Sequence, residues 1–365
     1  PTSSAPSRCG FWDSPTLTGL KGPNNLGVQN YAEVTRMKRA LALFALLALG
    51  VSVAQKPKVA IGTGSTGGVF FYYGTALADI LNKEGAVEAQ PVQTGGSYDN
   101  LLLLRDRTNP RANIYYCALT TTDSAYVAFT GEEPRFKQKP ATNARVLFYM
   151  YPSFIHIVTT ESSGIRVVQD LKGKRVSTGQ PGSSTENLAL LVLQAAGVSP
   201  DSFSKRERLP VAEGAKALAE GTLDAFFWVG GVPTGSLVEL SQTLARKGDR
   251  LYLVPIDPKS TTAQVALKRF PGVLDTFTVP KSVYNTRTDV PGLATGNIVA
   301  CPDTLPEEAV YAMMKAVFEN LDTLRTAVAS ARYTSLEATA RLYGKLPIPF
   351  HPGAERYLKE KGLIK

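Results

Sequence analysis

Three glycine-rich turns carry the residues best suited to chemistry. The first is GTGSTGG (Gly62–Gly68), which follows the short apolar strand KVAI and opens a segment with apolar residues at helical spacing. The second is Gly95, Gly96 and Ser97, and the third is Gly182, Ser183, Ser184 and Thr185; each again stands between a strand-like run and a helical one. Such a turn presents the free N–H groups of a helix N-terminus, where partial positive charge collects. The implied chemistry is non-covalent capture of a small anion. Gly64, Ser65, Thr66, Gly67 and Gly68 would bind it from the first turn, with Gly95, Gly96, Ser97 and Asn100 bordering the same rim. Gly182, Ser183, Ser184 and Thr185 would supply hydroxyls and N–H groups from another part of the chain.

Other chemistries fit less well. Gly62, Gly64 and Gly67 match the G-x-G-x-x-G dinucleotide fingerprint, but the next strand ends at Gln93, Thr94 and Gly95 with no acid to hold a ribose. Ser183 and Ser184 lack the G-x-S-x-G elbow of a hydrolase. The two histidines, His156 and His351, have no His or Cys at metal-ligand spacing, so neither a metal nor another cofactor is expected. Of three cysteines, Cys117 and Cys301 are expected to be buried free thiols rather than a pair.

The elements that position these turns are legible along the chain. At roughly 100–200 residues per domain, 365 residues suggest about two domains. Charged residues are 19% and hydrophobic ones 44%, which suits a globular core. The net charge of +9 is spread without a dense basic run, so nucleic acid is not an expected partner. Strands alternate with helices, which predicts an α/β fold with mainly parallel sheets. Phe70, Tyr73, Leu77, Ile80 and Leu81 mark a first helix ending at Gly85, and Pro91 confines the second strand to an edge or a bulge. The run 145–160 reads as β structure broken by Pro152, after which the rhythm restarts, and 305–328 reads as one long helix.

Met37 to Ala54 read as a secretory signal peptide. Lys38 and Arg39 form the basic start, Ala40 to Leu49 the apolar stretch, and Ser52 and Ala54 the small residues before a cleavage point at Gln55. Residues 1–36 are expected to be a non-native upstream extension. No cysteine follows the apolar stretch, so the mature chain is expected to be soluble and extracytoplasmic, periplasmic in a cell with that compartment.

Six segments, in order, resemble the TAXI family of TRAP-transporter solute receptors, a branch of the periplasmic binding proteins. They are IGTGSTGGVFFYYGTALADILNK, VQTGGSYDNLLLL, TTTDSAYVAFTG, YPSFIHIVTTESSGIRVVQDLKGKRVSTGQPGSSTE, GTLDAFFWVGGVP and PIPFHPGAERYLKEKG. The resemblance spans nearly all of the chain after Gln55. It implies a type II periplasmic-binding-protein-like fold of two lobes and a hinge, with 55–152 plus 270–365 in one lobe and 153–269 in the other. The chain would cross near Tyr151–Ile157 and Leu267–Val279. It also implies a monomeric receptor, not an enzyme, that holds a glutamate-like carboxylate or amino acid and delivers it to a TRAP-type membrane permease. Thr122 and Asp123 stand in a turn that departs from the family's QSD pattern, and Ser184 replaces a family glycine. Asp123 would meet a ligand ammonium or cap a helix. His156 would face the cleft or sit satisfied in the core. Trp228 would stack on the ligand or pack inside, beside Gly230, Gly231 and Pro233. A receptor for an ABC importer or sensor is the alternative with the same fold, and an exported hydrolase the alternative of another class.

Overall fold

The computed structural model describes residues 55–365; the signal-like segment 37–54, the extension before it and Cys9 lie outside the described residues. The elements run β1 (Lys58–Gly62), α1 (Val69–Lys83), β2 (Glu88–Val92), α2 (Ser97–Arg107), β3 (Ile114–Thr121), α3 (Thr122–Thr130) and β4 (Ala144–Thr160). They continue through β5 (Arg175–Ser177), α4 (Ser184–Ala195), β6 (Lys205–Glu207), α5 (Val211–Ala219), β7 (Ala225–Gly231), α6 (Gly235–Arg246) and β8 (Leu251–Leu253). Last come α7 (Thr261–Arg269), β9 (Leu274–Val279), α8 (Lys281–Tyr284), β10 (Val290–Pro302), α9 (Glu307–Glu319), α10 (Leu321–Ala327), α11 (Leu336–Ala340) and α12 (Pro352–Glu360).

One sheet takes the strand order β2-β1-β3-β10-β4-β7-β5-β6, with β8 also on β4 and β9 on β10. The fold is mixed α/β, but parallel pairing is confined to two groups, β2-β1-β3 and β7-β5-β6. Both groups meet the antiparallel pair β4 and β10 at the centre. Parallel neighbours need a helical crossover, and each group has its βα units; the long central strands instead return from one group to the other. β4 pairs with β10 through its first part and with β7 from Ser153 to Val158. β10 pairs with β9 from Val290 to Thr295 and with β3 from Asn297 to Ala300. β10 thus meets the first group through β3, and β4 meets the second through β7, while β9 pairs with β10.

Pro152 does not break β4. It sits opposite Gly296, where the β4–β10 register shifts, so the missing proline N–H falls at an existing irregularity. Pro91 is in edge strand β2, as its lack of a donor requires. The helix read over 305–328 is two, α9 and α10. Asn320 interrupts it with a non-helical backbone (φ −120°, ψ 28°), and its side-chain amide donates to the Ala316 carbonyl in place of a continuing turn. In α1, Tyr73, Leu77, Ile80 and Leu81 are buried, while Tyr72 turns outward at 49% exposure.

Cys117 and Cys301 are joined by a disulfide, contrary to the expected free thiols. Strand pairing explains it: Ala118 faces Ala300 in the antiparallel β3–β10 ladder, so the two cysteines one step on meet as neighbours, with Cα atoms 4.2 Å apart. Sequence distance hides this, because 184 positions separate them. A loop that long gives a large chain-entropy effect on the unfolded state. Reducing the bond, or replacing both cysteines by alanine, is expected to lower stability by roughly 4 kcal/mol, visible in calorimetry as a fall in Tm of several degrees; an unchanged Tm under reductant would count against a bond in the folded protein.

Candidate functional site

The βα turns at the C-terminal ends of β1, β2, β5 and β6 converge on one cavity. Its walls are Gly64, Ser65, Gly68, Val69 and Phe70 from the start of α1, and Gly95, Gly96 and Ser97 from the start of α2. Gly179, Gln180, Ser183, Ser184 and Thr185 come from the turn into α4, and Leu209, Pro210 and Val211 from the start of α5. Tyr151 and Ser153 on β4, with Trp228, Val229 and Gly230 on β7, form the floor. This edge of an α/β sheet is where ligands characteristically bind. Four helices of nine residues or more thus point their N-termini at one space, yet no lining residue carries a charged side chain. The electrostatics of the cavity are those of peptide dipoles.

The four N-termini are not equally free. In α2, the N–H groups of Tyr98 and Asp99 both donate to the carbonyl of Gly182, at 3.0 and 3.4 Å. Gly182 belongs to the turn before α4, on the other side of the cavity, so this helix end is capped from across it. Gln180 tightens the same seam by donating from its side-chain amide to the carbonyl of Gly95. Ser236, in the first turn of α6, donates to the carbonyl of Gly67 at 3.3 Å. The cavity volume is about 40 Å³, so the two walls stand close together.

The N-terminus of α4 is open. Ser183 is its N-cap and accepts from the Glu186 N–H, while its hydroxyl donates to the Gln180 carbonyl at 2.6 Å. The N–H groups of Ser184 and Thr185 have no partner among the described residues, nor does the Ser184 hydroxyl, although Ser184 is only 5% exposed. Glu186 would oppose an anion here, but Arg206 and Arg208 both pair with its carboxylate. That cluster carries a net charge of +1, which adds to the helix field rather than cancelling it. Thr185 faces β7 instead and accepts from the Val229 N–H.

Of the residues singled out in the sequence, Gly64, Ser65, Gly68, Gly95, Gly96, Ser97, Ser183, Ser184, Thr185, Trp228 and Gly230 line the cavity. Thr66, Gly67, Asn100, Thr122, Asp123, His156, Gly182, Gly231 and Pro233 do not. Asn100 is a structural tie: its amide donates to the carbonyls of Thr63 and Leu119, joining β1 to β3. Asp123 is fully buried in the first turn of α3, where Thr295 donates to it at 2.8 Å and Thr122 stands beside Thr295. Burial pushes the Asp123 carboxyl up, against the pull of its hydroxyl partners. His156 lies in the core with Nδ1 3.1 Å from the Trp228 carbonyl and its ring edge-on to Phe154. Trp228 lines the cavity while packing against the protein. Its indole N–H donates to Thr234 at 2.9 Å, and its ring closes against Gly68, where an added Cβ would come within 3.0 Å.

The lining residues not picked out in the sequence are mostly apolar: Val69, Phe70, Tyr151, Leu209, Pro210, Val211 and Val229, with Ser153, Gly179 and Gln180. The start of α5 had one signal, Pro210 directly before an apolar-periodic run, a helix-start mark. Its strand β6 is only three residues, too short to announce a βα unit. Among the described residues no three of His, Cys, Asp and Glu come together as metal ligands, and no helix is long and apolar enough to cross a membrane.

A model of the NMT1-like family matches residues 61–362. The fold is that of periplasmic binding proteins. A solved protein of Bordetella bronchiseptica RB50 is 13% identical, with 84% of this chain and 98% of that one covered and a TM-score of 0.51. MatC from Rhodopseudomonas palustris, solved with bound malate, is 14% identical over 76% of this chain and 89% of its own, with a TM-score of 0.50. The periplasmic aliphatic sulphonate binding protein SsuA from Escherichia coli is 16% identical over 74% and 78%, with a TM-score of 0.41.

Two expectations follow from this geometry. Gly182 has φ +82°, and a Cβ there would lie 2.4 Å from the Asp99 carboxylate. Gly182→Ala should therefore cost about 1–2 kcal/mol in urea unfolding, from left-handed backbone and the crowded seam together; an unchanged midpoint would show the seam to be slack. His156 is the second. Burial lowers its pKa from 6.5 to about 4. Its neutral form is thus favoured by folding, so the contribution is whole above pH 6.5 and is lost as pH falls toward 4. Relative to His156→Asn, the native chain should lose about 3 kcal/mol more across that window, and parallel stability-against-pH curves would refute the assignment.

Proposed function

The chain belongs to the NMT1-like family, and from that premise we propose that it is an extracytoplasmic solute receptor that captures a small carboxylate in the cavity and catalyses nothing. The carrying observation is that four helix N-termini meet at a cavity without a charged side chain. Such a site offers oriented N–H donors to an anion at little cost of desolvating fixed charges. MatC, of like fold, holds malate, itself a small carboxylate.

Two further observations support the reading. The Cys117–Cys301 disulfide suits an oxidising compartment, in agreement with export through the segment 37–54. Neither histidine is available to activate a cavity serine: His156 is turned to the Trp228 carbonyl, and His351 caps α12 by accepting from the Gly353 N–H. A hydrolase needs that base.

In this proposal the two strand groups are lobes, and the long strands β4 and β10 form the hinge near Pro152 and Gly296. Val279, Tyr284 and Val290 pack with Val211, Phe226 and Leu237, which supports grouping 279–290 with the second lobe. The seam through Gly182 is then a closed-cleft contact, and hinge opening admits the ligand. The closed form, as a monomer of the TAXI type, would present the ligand to a TRAP-type permease in the membrane.

The test is capture. Native mass spectrometry of the gently purified chain should show a retained small anion. A thermal-shift panel of carboxylates and amino acids should find a stabiliser worth about 2.7 kcal/mol at a hundred times its Kd. A panel with no stabiliser, together with turnover of an ester or amide, would sink the receptor reading.

A further inference from the structure

The receptor reading leaves amino acids and other carboxylates as rival ligands, and the cavity wall discriminates between them. Resting on that reading, we infer that the ligand is a small monocarboxylate with a compact apolar body and no ammonium group.

An ammonium taken out of water needs a carboxylate or several oriented acceptors. The cavity lining has no acidic side chain. The acids in the adjoining helix first turns are committed elsewhere. Asp99 accepts from the Gly95 N–H at 3.0 Å, and Asp123 accepts from Thr295 outside the cavity. The Asn100 amide near the rim is committed at both atoms, its oxygen accepting from Thr94 at 2.6 Å and its nitrogen donating to the Thr63 and Leu119 carbonyls. An α-amino group would enter with its hydration lost and no counter-charge gained.

A carboxylate is better served, and at one end. The open α4 terminus offers the Ser184 and Thr185 N–H groups and the unpartnered Ser184 hydroxyl, backed by the net positive Arg206–Glu186–Arg208 cluster. The α2 terminus, which a second carboxylate would want, is occupied by the Gly182 carbonyl. Away from α4 the larger side chains of the wall are mostly apolar, Phe70, Tyr151, Trp228, Leu209 and Val211, with Ser65, Ser97 and Ser153 between them. Phe70 and Tyr151 meet edge to face, with ring centroids 6.5 Å apart. A second charge there would be stripped of water against aromatic and aliphatic surface.

Isothermal titration of the ligand-stripped chain with isobutyrate, 3-methyl-2-oxobutanoate, glutamate and succinate separates the possibilities. The expected result is that one of the two branched monocarboxylates binds at least about tenfold more tightly than glutamate or succinate, and that Ser184→Ala, with unchanged Tm, weakens it roughly tenfold. Glutamate or succinate binding as tightly as the branched acids overturns the monocarboxylate assignment and leaves the receptor standing. Unweakened binding to the Ser184→Ala variant overturns the placement of the carboxylate at α4. If none of the four binds while native mass spectrometry shows another retained anion, the class is wrong and the receptor reading holds; if nothing is retained or bound, both fall.

Discussion

The antiparallel pairing of β4 with β10 is the constraint on which the rest depends. Each strand is longer than either strand group could use alone, and each is buried along most of its length. Between them they join β2-β1-β3 to β7-β5-β6. A strand buried on both faces cannot leave its ladder without exposing unpaired backbone groups, so the two groups stay joined edge to edge. That relation aims the C-terminal ends of four separate parallel strands at one space. The register irregularity beside Pro152 and Gly296 is one of two places along this pair where the ladder is already interrupted, the other lying between Val299 and Ala300. The Cys117–Cys301 bond secures β10 to β3 on the side of the first group.

From that arrangement the electrostatics of the cavity follow. Helices placed after parallel strands all present the same end to the sheet edge, and the end they present is positive. No arginine or lysine is needed in the wall, and none is there. Formal charges stand just outside the wall, with Asp99 held against the Gly95 N–H and Arg206 and Arg208 offsetting Glu186 behind α4. Peptide dipoles are fixed by the fold and need no rotamer ordering, so a site built from them is organised before any ligand arrives. The capping of α2 by Gly182 shows the same physics within the protein itself. A helix N-terminus accepts whatever oxygen is brought to it, and here the opposing backbone supplies one.

How much of this was legible in the sequence depends on the range of the interaction. The three glycine turns, the helices they open and the edge position of β2 were readable, because they rest on local backbone preferences: glycine for left-handed or crowded turns, serine for an N-cap, proline for an edge. Nine residues of those turns line the cavity, as do Trp228 and Gly230, which the family resemblance pointed to. Four of the choices that lie outside the cavity lining share a feature. Asn100, Thr122, Asp123 and His156 are polar residues near the right turns, but their side chains are consumed by partners far along the chain: Thr63 and Leu119, Thr295, and the Trp228 carbonyl.

The sequence by itself therefore determined the element types, the glycine turns and the anion-favouring character of their helix ends, since each is settled within a few residues by steric and dipolar effects. The tertiary structure alone decided which turns meet, that a fourth helix joins them, that aromatic and aliphatic residues close the wall, and that Cys117 reaches Cys301 across 184 positions. Those outcomes are set by the pairing of β4 with β10. The order of strands in a sheet is a global property, and no local pattern of residue types encodes which distant strand a given edge will meet.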